Sequence, residues 1–314
     1  LKQSANADRR HSIGAELIAV LVAVTADQPR IMSVENGNAL PSGPFELGHR
    51  SLQSGLRDWV EQQTRHPLGY IEQLYTFADR DRAVDEAERV ISISYLALAR
   101  EGQAAPADKA RWRNWYDYFP WEDHRDGVPP SLPNIIVPQL NAWAKAADNL
   151  SVRSERQQRT AVAFGLDRHS WNEELVLQRY ELLYEAALVE EAHRNKVKAN
   201  TLSVFGPAMA ADHRRILATG IARLRAKIKY RPVVFELMPP TFTLLQLQRS
   251  VEALAGRLVH KPNFRRLVEQ QELVEETGAM TTDMRGRPAK LFRFRHSVLA
   301  ERAVAGTKLP LTRA

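Results

Sequence analysis

Two capped helices and an alternating basic strand, all within the last hundred residues, most constrain what this chain can fold into. Thr243 is followed three residues later by Gln246. In this S/T-x-x-E/Q spacing the hydroxyl and the amide satisfy backbone N–H groups that a helix start leaves unpaired. Leu244, Leu247, Val251 and Leu254 then recur at threes and fours, an apolar stripe that stops at Gly256. A second helix is expected from Pro262, a residue suited to a first turn because it lacks the N–H that would be orphaned there. Phe264, Leu267 and Val268 should be its buried face, with Asn263, Arg265, Arg266 and Glu269 outside. Leu273 to Thr277, a polar loop through Arg285, Gly286, Arg287 and Pro288, and Leu291-Phe292-Arg293-Phe294-Arg295 predict a hairpin with a basic tip and with Phe292 and Phe294 on its buried phase. Helix, turn, helix and wing in this order predict a winged helix-turn-helix that lies on DNA. Its candidate contacts are Thr243, Lys261, Asn263, Arg265, Arg266, Arg285, Arg287 and Lys290.

Charge agrees. Residues 211–314 hold 20 Lys+Arg against 9 Asp+Glu, and residues 1–210 hold 24 against 28, in a chain of net charge +7. A basic module beside a mildly acidic one is the electrostatic footprint of a nucleic-acid-binding domain carried by something else. An RNA-binding module would need exposed aromatics for base stacking, and the phenylalanines of the wing fall on its inner phase. The 314 residues exceed one ordinary core. We expect two domains, 1–229 and 230–314, divided where the pattern changes at Tyr230-Arg231-Pro232. With no cysteine there is no disulfide, zinc finger or thiol chemistry, which fits a reducing cytoplasm. No pair of histidines has metal-ligand spacing, so no metal is expected. The longest apolar run, Leu17 to Val24, is far short of the ~20 residues of a membrane span and reads as a buried strand.

Upstream, Ala15 to Val24 predicts a strand covered on both faces, and residues 35–48 a long loop. Leu52 to Gln63 is amphipathic, with Leu52, Leu56, Trp59 and Val60 on one face. Ile71 to Phe77 and Val90 to Ala99 read as strands. Residues 101–204 form an extended and helical insertion. Its aromatic cluster of Trp112, Trp115, Tyr116, Tyr118, Phe119 and Trp121 is either a satellite core or a stacking platform for a flat heterocycle. Helices are expected near 134–149 and 171–194, the second opened by a capping box at Ser170 and Glu173. Its stripe of Val176, Tyr180, Leu183, Ala187 and Leu188 suits either a core or a dimer seam. A basic helix, Ala210 to Lys229, leads into an expected strand, Val233–Met238.

Residues 43–64 carry an informative spacing. The Nudix hydrolase box, G-x5-E-x7-R-E-U-x-E-E-x-G-U with U bulky and aliphatic, aligns from Gly43. His49 then stands where the first glutamate belongs, Arg57 on the arginine, Asp58 on the next glutamate and Trp59 on the bulky position. Glu61 falls on the first of the paired glutamates, Gln62 replaces the second, and Thr64 replaces the second glycine. A box of this kind holds Mg²⁺ against a pyrophosphate, and hard cations want several carboxylate oxygens. Hydrolysis is therefore expected to be lost and the helix kept as scaffold. A loop followed by any amphipathic helix would produce much of this match; its position after one strand and before two others gives it weight.

With LPSGPFE (40–46), LRDWVEQQT (56–64), EQLYTFADRDR (72–82), ADHRRIL (211–217), FTLLQLQ (242–248), NFRR (263–266) and GRPAKLFRF (286–294), the chain resembles the Nudix-related transcriptional regulators of NAD metabolism. It is most similar to the NadQ-like branch of that NrtR-type family. The resemblance implies an α+β fold, a degenerate Nudix-like α/β/α sandwich with a helical insertion followed by the winged helix. It also implies a homodimeric repressor of NAD synthesis or salvage genes. Operator DNA would be its macromolecular partner, and a nucleotide or pyridine metabolite its effector: ATP, NAD, ADP-ribose or a pyridine carboxylate. No cofactor is required. Arg57 and Glu61, from the box helix, and Glu72, Gln73, Tyr75, Asp79, Arg80 and Arg82, from the strand and loop after it, are the ligand candidates. Arginines there could engage a diphosphate and the tyrosine could stack on a base, whereas Arg57 could equally pair with Glu61 at i,i+4. The alternative is a working pyrophosphohydrolase with a DNA-binding domain attached.

Overall fold

The structure, a computed structural model, describes residues 13–79, 89–101, 109–193, 203–231, 233–281, 288–295 and 297. Strand β1 (Ile13–Thr25) turns into β2 (Gln28–Ser33), and a short β3 (Ser42–Pro44) precedes helix α1 (Leu52–Thr64). Strands β4 (Tyr70–Phe77), β5 (Arg89–Leu98) and β6 (Arg111–Asn114) complete a six-stranded sheet. Its order is β4-β5-β1-β2-β6 with β3 beside β1. β1 and β5 are parallel, and the other pairs are antiparallel. The apolar run of β1 is covered on both sides, as its composition requires. Leu17, Ala19, Leu21 and Ala23 face α1 with Leu56 and Val60, and Ile18, Val20 and Val22 face the larger core.

The insertion begins with a short helix α2 (Trp115–Tyr118), then α3 (Val137–Lys145), α4 (Leu150–Phe164) and α5 (Val176–Glu185). Three expectations are corrected here. Helix α4, capped by Asn149, whose side chain accepts from the Ser151 amide, falls where no helix was expected. Helix α5 starts six residues after Ser170 with no side-chain cap, because Glu173 is drawn instead to Lys229 and Arg257. Five of the six clustered aromatics belong to the main core and are neither a satellite nor a platform, while Trp112 packs in the smaller cluster with Leu56 and Val60. Trp115, Phe119 and Trp121 are wholly buried in the main core, where no heterocycle can reach their faces. The stripe of α5 points inward as well, with Val176, Tyr180 and Leu183 buried.

Helix α6 (His213–Tyr230) covers the sheet opposite α1 and closes the α/β/α sandwich. The expected strand after it is a 3-10 turn, Val233–Leu237, whose Val234, Phe235 and Leu237 are buried, Phe235 against Phe242 and Phe294. Then come α7 (Leu244–Ala255), α8 (Lys261–Gln270) and the hairpin of β7 (Val274–Met280) and β8 (Lys290–Phe294). The apolar core does not stop at residues 230–232. A single cluster runs from Ile18 through Leu217 and Leu224 to Val234, Leu247, Leu254 and Val268. The division there is one of sequence pattern and not of separate cores.

Candidate nucleic-acid interface and effector site

The local chemistry of α7 and α8 is as the spacing requires. Thr243 Oγ1 accepts from the Gln246 amide (3.2 Å) while Gln246 Oε1 accepts from the Thr243 amide (2.8 Å), a reciprocal cap. Gly256 ends α7 with φ +70°, and its amide donates to Glu252 O. The turn to α8 is held by the buried Glu252 carboxylate, which accepts from the Val259 amide (3.0 Å) and from Gln248 Nε2 (2.9 Å). Helix α8 has proline in its first turn and Val268 as its buried anchor, with Phe264 half-buried. Leu267 does not join them and is 53% exposed, a departure from the expected inner face.

On the outer face Lys261, Asn263, Arg265 and Arg266 are all exposed. Neither Arg265 nor Arg266 takes part in an ion pair among the described residues. Thr243 is withdrawn from the DNA-facing set. It is buried, and both its hydroxyl and its amide are committed to the cap. Lys290, exposed on the wing, is held by Glu276 across the hairpin (2.8 Å). Arg285 and Arg287 lie outside the described residues. Phe294 stacks on Phe235 at 4.2 Å, and Phe292 pairs its backbone with Phe242, so the wing is fastened along its inner phase.

The degenerate box is filled by aromatics. His49 stacks on Phe45 (5.8 Å) and meets the edge of Trp59 (6.3 Å), while its Nδ1 accepts from the Glu46 amide (3.0 Å). Gly43 keeps its place for a packing reason, since a Cβ there would lie 2.3 Å from the Trp59 ring. Asp58 and Glu61 are exposed. Among the described residues no group of three or more His, Asp or Glu is placed to hold a metal ion. Arg57 does not pair with Glu61; it donates to the Leu68 and Gly69 carbonyls and ties the end of α1 to the following turn.

The strand candidates divide by the period of the sheet. Gln73 and Tyr75 are exposed, and Tyr75 meets Phe77 edge-on at 5.0 Å. Glu72 turns instead to α6, where it pairs with Lys227 and accepts from the Tyr70 hydroxyl (2.5 Å). Asp79 pairs with Arg215, also on α6. Arg80 and Arg82 lie outside the described residues. His213 is structural: buried, with Nδ1 accepting from the Leu40 amide (2.9 Å).

A group absent from the sequence reading joins the sandwich to the winged helix. Glu122, wholly buried, takes Arg179 Nε on one carboxylate oxygen (2.5 Å) and Arg225 Nη1 on the other (2.5 Å). Burial alone would raise its pKa, but the two guanidiniums outweigh burial and hold it below the ordinary carboxylate value. Arg225 Nε then donates to Leu254 O (2.9 Å), and the Tyr116 hydroxyl to Ala253 O (2.7 Å). The last carbonyls of α7, which a helix end leaves unsatisfied, are thus held by the insertion and by α6. The His124 amide donates to Gly256 O (2.7 Å). The one local hint was periodic. Arg214 and Arg225, eleven residues apart, lie on the same face of α6 as Leu217, Ile221 and Leu224. Much of the charge of that helix is therefore interior and not offered to DNA.

Comparison with known proteins follows these lines. The fold matches that of Shewanella oneidensis NrtR, solved in complex with a 27mer DNA. The TM-score is 0.54 at 20% identity, over 91% of this chain and 95% of that one. It also matches a MutT/nudix family protein from Enterococcus faecalis, with a TM-score of 0.53 at 16% identity over 94% and 89% of the two chains. The ADPR responsive transcriptional repressor NtrR of Acinetobacter baylyi is 40% identical over 86 residues, 27% of this chain and 34% of the relative. The chain thus matches about a third of the length of that curated relative. Residues 234–294 match the family described as the NrtR DNA-binding winged helix domain. The winged helix drawn from the sequence is borne out as NrtR-type over residues 234–294, and the sandwich before it has the fold of these NrtR and MutT/nudix structures.

Proposed function

We propose that the protein is a cytoplasmic, ligand-responsive transcriptional repressor of NAD synthesis or salvage genes that binds operator DNA as a homodimer. The carrying observation is the match of residues 234–294 to an NrtR DNA-binding winged helix whose second helix presents Asn263, Arg265 and Arg266 outward. In this reading residues 230–314 bind DNA and residues 1–229 sense the effector. ADP-ribose leads the candidates because the Acinetobacter relative is described as ADPR responsive. Gln73 and Tyr75, exposed on β4, are the proposed contacts, with Arg80 and Arg82 following in the sequence. Glu72 and Asp79 are held by ion pairs to Lys227 and Arg215 of α6. The protein does not hydrolyse its effector, because an aromatic stack and Gln62 stand where a metal would need carboxylates.

Fluorescence anisotropy on a duplex from the chain's own promoter tests this reading, with and without ADP-ribose, NAD, ATP or a pyridine carboxylate. Specific binding that shifts at least tenfold with one of them is expected. Indifference to every ligand, or turnover of ADP-ribose with Mg²⁺ near one per second, an ordinary enzymatic rate, would overturn it.

A further inference from the structure

Between α6, α7 and α8 lies a cavity of about 400 Å³ that the proposed effector site does not use. Its walls are apolar: Leu247 and Val251 from α7, Phe264 and Val268 from α8, and Val234 and Phe235 from the 3-10 turn. Its rim is cationic, with Lys229, Arg231 and Arg257. The buried Glu173 is the one carboxylate lining it, and Lys229 Nζ (2.8 Å) and Arg257 Nη2 (3.1 Å) share a single oxygen of that group. The size falls within the ~300–1,000 Å³ of small-molecule pockets, which are mostly apolar with a few convergent polar groups. Lys229 is also held by Glu174 Oε1 (2.6 Å), so Arg257 and Arg231 are the rim cations left to complement an anion, and the walls complement an apolar body.

We propose that this cavity is a second ligand site, for a small aromatic monocarboxylate whose ring lies between α7 and α8 and whose carboxylate meets Arg257 and Arg231. Because α6 belongs to the sandwich and α8 carries the DNA-facing side chains, such a ligand braces the reading helix against the rest of the molecule.

The test uses the full chain and 2-naphthoate as probe, with 2-naphthylmethanol as its uncharged counterpart, by isothermal titration calorimetry. Naphthoate saturates one site, and the alcohol binds at least tenfold more weakly. Arg257→Gln weakens naphthoate about tenfold, the size of one lost charge-assisted hydrogen bond. Val251→Trp fills the space and removes binding while thermal unfolding stays cooperative. If Val251→Trp does not fold, the Arg257→Gln and alcohol comparisons decide. No saturation up to about 5 mM, which leaves any affinity weaker than the millimolar class, overturns the proposal. So does equal binding of acid and alcohol, unchanged affinity in Arg257→Gln, or unchanged affinity in a folded Val251→Trp.

Discussion

Glu122 shows how much one side chain can decide. It is a charge in a dry interior, tolerable because two guanidiniums share it and because Arg225 spends its other donors on Leu254 O and Glu173 O. Glu122→Gln leaves two buried cations undercompensated and should cost about 3–5 kcal/mol, read from urea unfolding. Its pH signature has a definite sign. A carboxyl held below its ordinary value contributes stability above ~4.3, lost as pH falls through the folded-state value. His124 is depressed too, first by burial, so its contribution is present above ~6.5 and fades below that. The melting temperature should be level near neutrality, decline gently below about pH 6.5, and fall steeply below about pH 4. In Glu122→Gln the steep part should be shallower, though Glu173, also held low, keeps some of it. Glu16, raised by burial, opposes this trend, so an unchanged slope below about pH 4 in Glu122→Gln is the outcome that would contradict the Glu122 assignment. At the box, His49, Asp58 and Gln62 were legible as changes at the acidic positions of a metal site, and Trp59 as its bulky apolar position. That the rings would stack on one another was not, because stacking depends on the path of the 43–49 loop.

Among the elements, α7 and α8 are specified by their own sequence and carry the proposed DNA contacts. Thr243→Ala removes a cap that holds its helix from within, at a cost of about 0.5–2 kcal/mol. Thr243→Ser should restore most of that, and because the side chain is buried, DNA specificity should be unchanged when the variant is folded. Arg265 and Arg266 should behave differently. If one reads a guanine bidentately, its alanine variant loses about 1–3 kcal/mol and relaxes specificity at a single base pair. Lys261→Ala, at the helix start, should weaken binding to every duplex alike and reduce the salt slope by about one, the mark of a phosphate contact. Anisotropy with promoter and scrambled duplexes at two salt concentrations separates these cases. Unchanged affinity in the double variant Arg265→Ala with Arg266→Ala would mean that another face meets the DNA. Lys290 already shares its charge with Glu276, so its removal should matter less than that of Lys261.

For the whole molecule, the reading head is not a free appendage. Gly256 sits at φ +70°, and a Cβ there would lie 2.4 Å from Glu122 O and 2.8 Å from the Tyr116 hydroxyl. Gly256→Ala should therefore destabilise by more than about 1 kcal/mol and alter DNA affinity as well, since the strain falls where the insertion, α6 and α7 meet. A variant with normal stability and normal DNA binding would show that this junction transmits nothing. What the sequence determined by itself was local. The caps and stripe of α7, the proline-led start of α8, the alternation of β8 and the unbroken apolarity of β1 are all written within a dozen residues. There, hydrogen bonds and side-chain period act between near neighbours and admit one reading. Only the tertiary structure decided the rest. Ser170 and Glu173 have the spacing of a cap, yet Glu173 is taken by Lys229 and Arg257. Val233 to Leu237 has the composition of a strand, yet it forms a 3-10 turn whose Phe235 packs on Phe242 and Phe294, and the edge of β8 is met by Phe242 instead. Glu122 and Arg225 stand 103 residues apart, and nothing near either names the other. Such a pair exists only once the chain has closed and expelled water, because in water the two charges would gain almost nothing by meeting.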